Sequence, residues 1–290
     1  MARLLDLVRV TRDFNRKEQI PPERTADAAR VLKVTWEGDD EAGYRVEIAD
    51  DGMDDSTWYV VREAGEYRIL AEGPLLANLG GEALERVAAG DLPGARRWLG
   101  WTWDVQKDDV GWFNAFSGTP FARIWWTADH DDRFAVRLAA AALLAEGRDT
   151  AQAIPILLEV RENEGEERQQ LQADRALARA FRNAGRPEKL LETAERVLAQ
   201  SRTALEGLEH KVAALWQLGR KDELGGFLRS QLERTDLGHQ TEEMLAIRAG
   251  QMGLFALSQE HLRPLVDRGR ASPLSYNELA WNALFTRGAD

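Results

Sequence analysis

Arg175, Arg179 and Arg182 recur at i, i+4 and i+7, a spacing that sets three guanidinium groups on one face of one helix. Such a ladder, in a chain of formal net charge −11, suits an acidic peptide or a carboxylate terminus, which it would hold by charge-assisted hydrogen bonds. The competing reading is pairing within the chain, with acids such as Glu206 and Glu209. A second concentration is aromatic: six of the ten tryptophans, Trp98, Trp101, Trp103, Trp112, Trp125 and Trp126, lie between residues 98 and 126, interleaved with Phe113, Phe116 and Phe121. Flat amphipathic rings stack on sugars and apolar groups, which makes Trp101, Trp112, Trp125 and Trp126 candidate ligand contacts. The same residues would equally seal a junction between two parts of the chain.

Catalytic and metal chemistry find little footing. The sequence has no Gly-rich phosphate loop, no Gly-x-Ser-x-Gly elbow and no His-Glu-x-x-His pair. His130, His210, His239 and His261 are scattered and read as surface or helix-packing histidines. With no cysteine there is no thiolate nucleophile, thiolate metal site or disulfide. From Glu37 to Asp55 nine acids face Arg45 alone, yet ADDGMDD lacks the alternating ligand spacing of an EF-hand and reads as solvated hairpin loops. Asp131 and Asp132 precede an apolar-periodic stretch and suit a helix N-terminus. The expectation is a chain that is not an enzyme and needs no metal or cofactor.

What would position these residues is a repeat. Turn signals recur at Gly185, Gly219 and Gly253, 34 residues apart in each case, with Gly288 35 further on, and Gly147 and Gly90 lying 38 and then 57 residues upstream. Apolar residues at helical spacing flank each turn: Leu177, Ala178 and Phe181, then Leu208, Val212 and Leu215, then Leu245, Ala246 and Ala249 before it. After it come Leu190, Ala194, Val197 and Leu198, then Leu224, Leu228 and Leu232, then Leu262, Leu265 and Val266. A glycine between two amphipathic helices supplies the left-handed backbone that ends the first.

This period resembles the tetratricopeptide repeat family. Gly90-Asp91-Leu92-Pro93-Gly94-Ala95 is similar to the family's Gly-Asp-x-x-x-Ala turn, and Leu177-Ala178 with Phe181 matches its small and aromatic first-helix positions. The chain departs where Asp174, Leu208 and Glu242 fill the first-helix tryptophan position and Arg202 and Asp236 replace the closing proline. The resemblance implies a divergent α-α superhelix of helix hairpins over about residues 76–290, whose first helices line an inner face. On that face it would place Arg175, Arg179 and Arg182, with Arg137 at the same position of the preceding repeat as Arg175. The ladder resembles, without matching, the family's carboxylate clamp of lysines and asparagines.

Residues 1–75 read as a small α+β module: helical stretches at MARLLDLVRVTRDFN and ERTADAARVL, then VLKVTWE, YRVEIAD, TWYVVRE and EYRILAE as an antiparallel meander packed on the first helix. Residues 100–128 form an aromatic-rich insertion in the repeats. The last helix, around ASPLSYNELAWNALFTRG, offers Leu279, Trp281, Leu284 and Phe285 where a capping repeat would be polar, which suggests a piece of a longer solenoid.

The fold class expected is therefore mainly α. No apolar run reaches the ~18 residues a membrane helix needs, and Asp6 and Arg9 interrupt the opening segment where a signal peptide would be uncharged. The chain reads as soluble, with a slight preference for the cytoplasm, and its acidity disfavours nucleic acid. Its expected function is a non-catalytic scaffold holding a protein or acidic peptide in a concave groove. The alternatives are a small-ligand or glycan-binding protein using the tryptophan-rich insertion, or the regulatory part of a larger multidomain enzyme.

Overall fold

The computed structural model describes residues 33–41, 43–50, 53–63, 66–72, 76–108, 119–127, 129, 132–163, 167–201 and 204–286. The two N-terminal helical stretches, Trp112, His130 and the turn at Gly288 lie outside them. Described strands β1 (Lys33–Asp39), β2 (Gly43–Asp50), β3 (Met53–Glu63) and β4 (Glu66–Glu72) form an antiparallel meander in the order β1-β2-β3-β4, as the alternating residues predict. Register pairs Tyr44 with Val60 and Val46 with Trp58, so these side chains share one face and form a buried cluster backed by Tyr67 and Ile69.

Twelve helices are found among the described residues. They begin with α1 (Leu76–Ala89), α2 (Leu92–Asp108), α3 (Pro120–Thr127), α4 (Arg133–Glu146) and α5 (Thr150–Asn163). They continue as α6 (Glu167–Asn183), α7 (Pro187–Gln200), α8 (Leu205–Gln217), α9 (Lys221–Leu232), α10 (His239–Gln251), α11 (Phe255–Asp267) and α12 (Pro273–Thr286). The chain divides into two compact units, Met1–Ala176 and Leu177–Asp290.

In the N-terminal unit α2 packs on the sheet. A Cβ on Gly43 would meet the Trp98 ring at 2.8 Å and one on Gly38 the Trp101 ring at 3.1 Å, while Tyr59 packs against Trp98 with ring centroids 5.8 Å apart. Arg86 on α1 reinforces this, binding Glu82 at 2.7 Å, Asp91 at 2.8 Å and the Glu41 carbonyl at 2.9 Å. These contacts join the sheet to α1 and α2 within the unit Met1–Ala176. Helix α4 is central: Val136 and every residue from Leu138 to Ala145 are buried, and α1, α2, α3 and α5 pack around it. Alanine on α4 and Gly80 on α1 permit the close approach, since a Cβ on Gly80 would come 2.9 Å from the Ala140 carbonyl oxygen. Asp132 caps α4 by accepting the Phe134 N–H at 2.9 Å, the helix-terminal role its position suggested.

In the C-terminal unit each helix from α7 to α12 packs on its successor in the chain, and α10 also packs on α12. The apolar stripes read from the sequence form this core, with only Leu198 and Val266 half-buried. Gly90, Gly185, Gly219 and Gly253 all have positive φ, between 64° and 84°, the left-handed turn geometry expected of them. Gly147 is different: Arg148 takes the left-handed conformation there (φ 66°). Gly147 is needed for space instead, because a Cβ on it would lie 2.2 Å from the Ala77 amide nitrogen.

Candidate partner-binding groove

The arginine ladder sits on α6, and its members have different fates. Arg175 lines a cleft of about 320 Å³ in the N-terminal unit, with Trp103, Arg123, Trp126 and Gln172. Arg182 lines a groove of about 400 Å³ in the C-terminal unit, where α8 supplies Glu209, Val212, Ala213 and Trp216, α9 supplies Leu224, and α10 supplies Arg248 and Gln251, with Met252 just beyond its end. Arg179, one turn before Arg182, is half-buried and its Nε is buried without a hydrogen-bond partner. Arg137 stands apart, in the N-terminal unit, and is already engaged. Its two terminal nitrogens donate to the two carboxylate oxygens of Glu159 at 3.0 and 2.6 Å, and this pairing lowers the Glu159 pKa. A bidentate partner leaves little of its charge for a ligand.

A buried histidine lies near Arg179 and Arg182. His210 on α8 is 3% exposed, and neither ring nitrogen has a hydrogen-bond partner. Burial, then the positive charges of Arg182 and Arg179, pulls its pKa down to about 3. An imidazole in this setting is neutral at pH 7. Glu206, one turn before it, places Oε1 4.0 Å from Nε2. Arg179 and Arg182 form no ion pair with a described residue, and Arg248 donates only to the neutral Gln251, at 2.6 Å. Neither Glu206 nor Glu209 therefore pairs with Arg179 or Arg182. Trp216, half-exposed on the same groove, adds a flat apolar surface beside the guanidiniums.

The tryptophan candidates separate by burial. Trp101 and Trp125 are 6% exposed and belong to the core, Trp101 edge-on to Trp98 at 5.2 Å and Trp125 stacked on Phe121 at 6.2 Å. Of the four named from the sequence, Trp126 alone is exposed among the described residues, at 72%. Its ring neighbour is Trp103, with centroids 5.7 Å apart. The junction reading thus accounts for Trp98 and Trp101, and the platform shrinks to Trp103 and Trp126. Trp216 and Arg248 were not singled out from sequence, whereas the buried His210 is one of the four read there as surface or helix-packing histidines. A tryptophan or an arginine on an amphipathic helix carries no signal of its own until the helices are packed.

No group of three or more His, Asp or Glu side chains among the described residues is arranged to hold a metal ion, and no described helix is long and apolar enough to cross a membrane. Comparison with protein-family models, with curated proteins and with solved structures returns no match. The functional reading rests on the residues themselves.

Proposed function

We propose that the chain is a non-catalytic interaction module, a divergent tetratricopeptide-like superhelix of helix hairpins, whose groove across α6, α8 and α10 holds an acidic segment of a protein partner. One observation carries the reading: Arg182 and Arg248 line a single groove, and neither forms an ion pair with a carboxylate among the described residues. An acidic side chain or a C-terminal carboxylate would supply the missing partner, and Trp216, Val212 and Leu224 would take an apolar neighbour. Left-handed glycines at a 34-residue period and sequential helix packing support the repeat. No cofactor, nucleic acid or membrane insertion enters this function.

The test is selection from a random displayed peptide library by the full chain, followed by affinity measurement on the enriched peptides. Enriched sequences should carry Asp, Glu or a free C-terminus beside an apolar residue. Arg182→Glu and Arg248→Glu should each weaken them about tenfold or more, while Arg137→Glu leaves them unchanged. Enrichment of peptides without acids, no enrichment, or indifference to both groove substitutions would overturn the proposal. Arg182 is the better probe than Arg179, because a charge reversal at the half-buried Arg179 would also disturb packing.

A further inference from the structure

A second concavity in the C-terminal unit, of about 340 Å³, shares Gln251 with the arginine groove and has the opposite electrostatic character. Its lining includes Gly250, Phe255, Glu278, Trp281 and Phe285. Helix α12 settles closely on α10 because Gly250 has no side chain: a Cβ there would fall 2.2 Å from Glu278 Oε1. That approach carries Glu278 down to 9% exposure. Glu278 makes no hydrogen bond or ion pair with a described residue. Removal from water raises its pKa, with no nearby cation to oppose the effect.

Glu278, Trp281 and Phe285 follow one another at i, i+3 and i+7, so one face of α12 presents the carboxylate and then the rings. Phe255 lies nearly parallel to Phe285 at 5.4 Å, and Phe285 to Trp281 at 6.2 Å. The result is a continuous aromatic wall beside a carboxylate, half-exposed at Trp281 and Phe285.

We infer that this pocket is a binding site for an organic ammonium group, whose charge Glu278 neutralises and whose methyl or methylene groups rest on the faces of Trp281 and its neighbours. The alternatives fit less well. A neutral apolar ligand would cover Glu278 and leave the carboxylate buried without a partner, which is costly. An anion would be repelled. A hard metal ion needs several oxygen ligands, and no metal-holding group of side chains occurs among the described residues. An ammonium satisfies both components at once, since ring faces attract cations most strongly where water is partly excluded.

The experiment follows the Trp281 indole N–H resonance of the full chain, assigned with Trp281→Phe, as four probes are added: choline, its neutral isostere 3,3-dimethylbutanol, Nα-acetyl-lysine methylamide, and the Nε-trimethylated form of that lysine. Choline should give a saturable shift with millimolar affinity, and the isostere should bind at least about tenfold more weakly. Glu278→Gln, which keeps shape and hydrogen-bonding capacity, should weaken choline about tenfold or more while the melting temperature holds or rises. Trp281→Ala, at an exposed position, should also reduce binding, read on Phe255 and Phe285. Tighter binding of either lysine derivative than of choline would identify the natural source as a protein side chain, and the reverse order a small free amine. Equal binding of the neutral isostere, an unchanged affinity in Glu278→Gln, or no saturable shift up to about 0.1 M choline would overturn the inference.

Discussion

At the scale of single residues, the C-terminal unit contains a buried base whose protonation opposes folding. His210 takes up a proton near pH 6.5 in the unfolded chain and only at about 3 in the folded one. Between these values the unfolded state binds more protons, so stability is complete above pH 6.5 and falls as the pH drops, by about 1.4 kcal/mol per pH unit from this group alone. Urea denaturation at pH 7 and pH 5 should therefore separate wild type from His210→Leu. The wild type loses more stability over that interval, and equal losses would mean that His210 is not held neutral. The buried Asp174 illustrates the contrary solution. It is fully buried, yet Arg161 Nε donates to it at 2.9 Å, so a charged pair occupies the position that the tetratricopeptide pattern gives to tryptophan.

At the scale of elements, the turn glycines do two different jobs that a shared residue type conceals. Gly219 has φ 68° and open space where a Cβ would stand, so Gly219→Ala costs about 1 to 2 kcal/mol of left-handed backbone strain alone. Gly147 has an ordinary φ of −70° but sits against the first turn of α1. There Gly147→Ala forces α1 away from α4 and should cost more, about 3 kcal/mol. Thermal melts of the two variants rank them, and a Gly147→Ala protein as stable as Gly219→Ala would show that the α1–α4 contact yields easily. The same principle placed α12: Gly250 accepts the Glu278 carboxyl, while Glu243 on α10 accepts the Ser272 N–H and the Ser275 hydroxyl at the start of α12.

At the scale of the whole molecule, the ten tryptophans form a reporter of which surfaces are open. Trp58, Trp98, Trp101 and Trp125 are buried, and Trp36, Trp126, Trp216 and Trp281 are exposed. Iodide should quench only part of the native emission. Replacing Trp126, Trp216 and Trp281 together by phenylalanine should remove most of that quenchable part, and an unchanged quenched fraction would contradict the burial pattern. Two of these three residues belong to the sites proposed above, the acid-seeking groove and the ammonium pocket. Both lie in the C-terminal unit, one lined from α8, α9 and α10 with Arg182, the other from α10, α11 and α12.

Periodicity alone determined a good deal about this protein: the meander, the predominance of helix, the left-handed glycines at Gly185, Gly219 and Gly253, and the apolar stripes of the C-terminal core. These are local properties, since a 3.6-residue or 2-residue period and a positive-φ requirement are carried by neighbouring residues. The sequence also placed Arg175, Arg179 and Arg182 on one helical face, and it named Trp281 and Phe285. Whether an arginine is already paired depends on a residue elsewhere in the chain, as Arg137 with Glu159 and Arg182, unpaired among the described residues, demonstrate. Which tryptophans are core depends on the sheet against which α2 packs. Glu278 carries no signal in the sequence until Gly250 allows α12 to approach α10. Only tertiary packing turned that glutamate into a buried charge facing an aromatic wall, because desolvation is a property of what surrounds a group and not of the group itself.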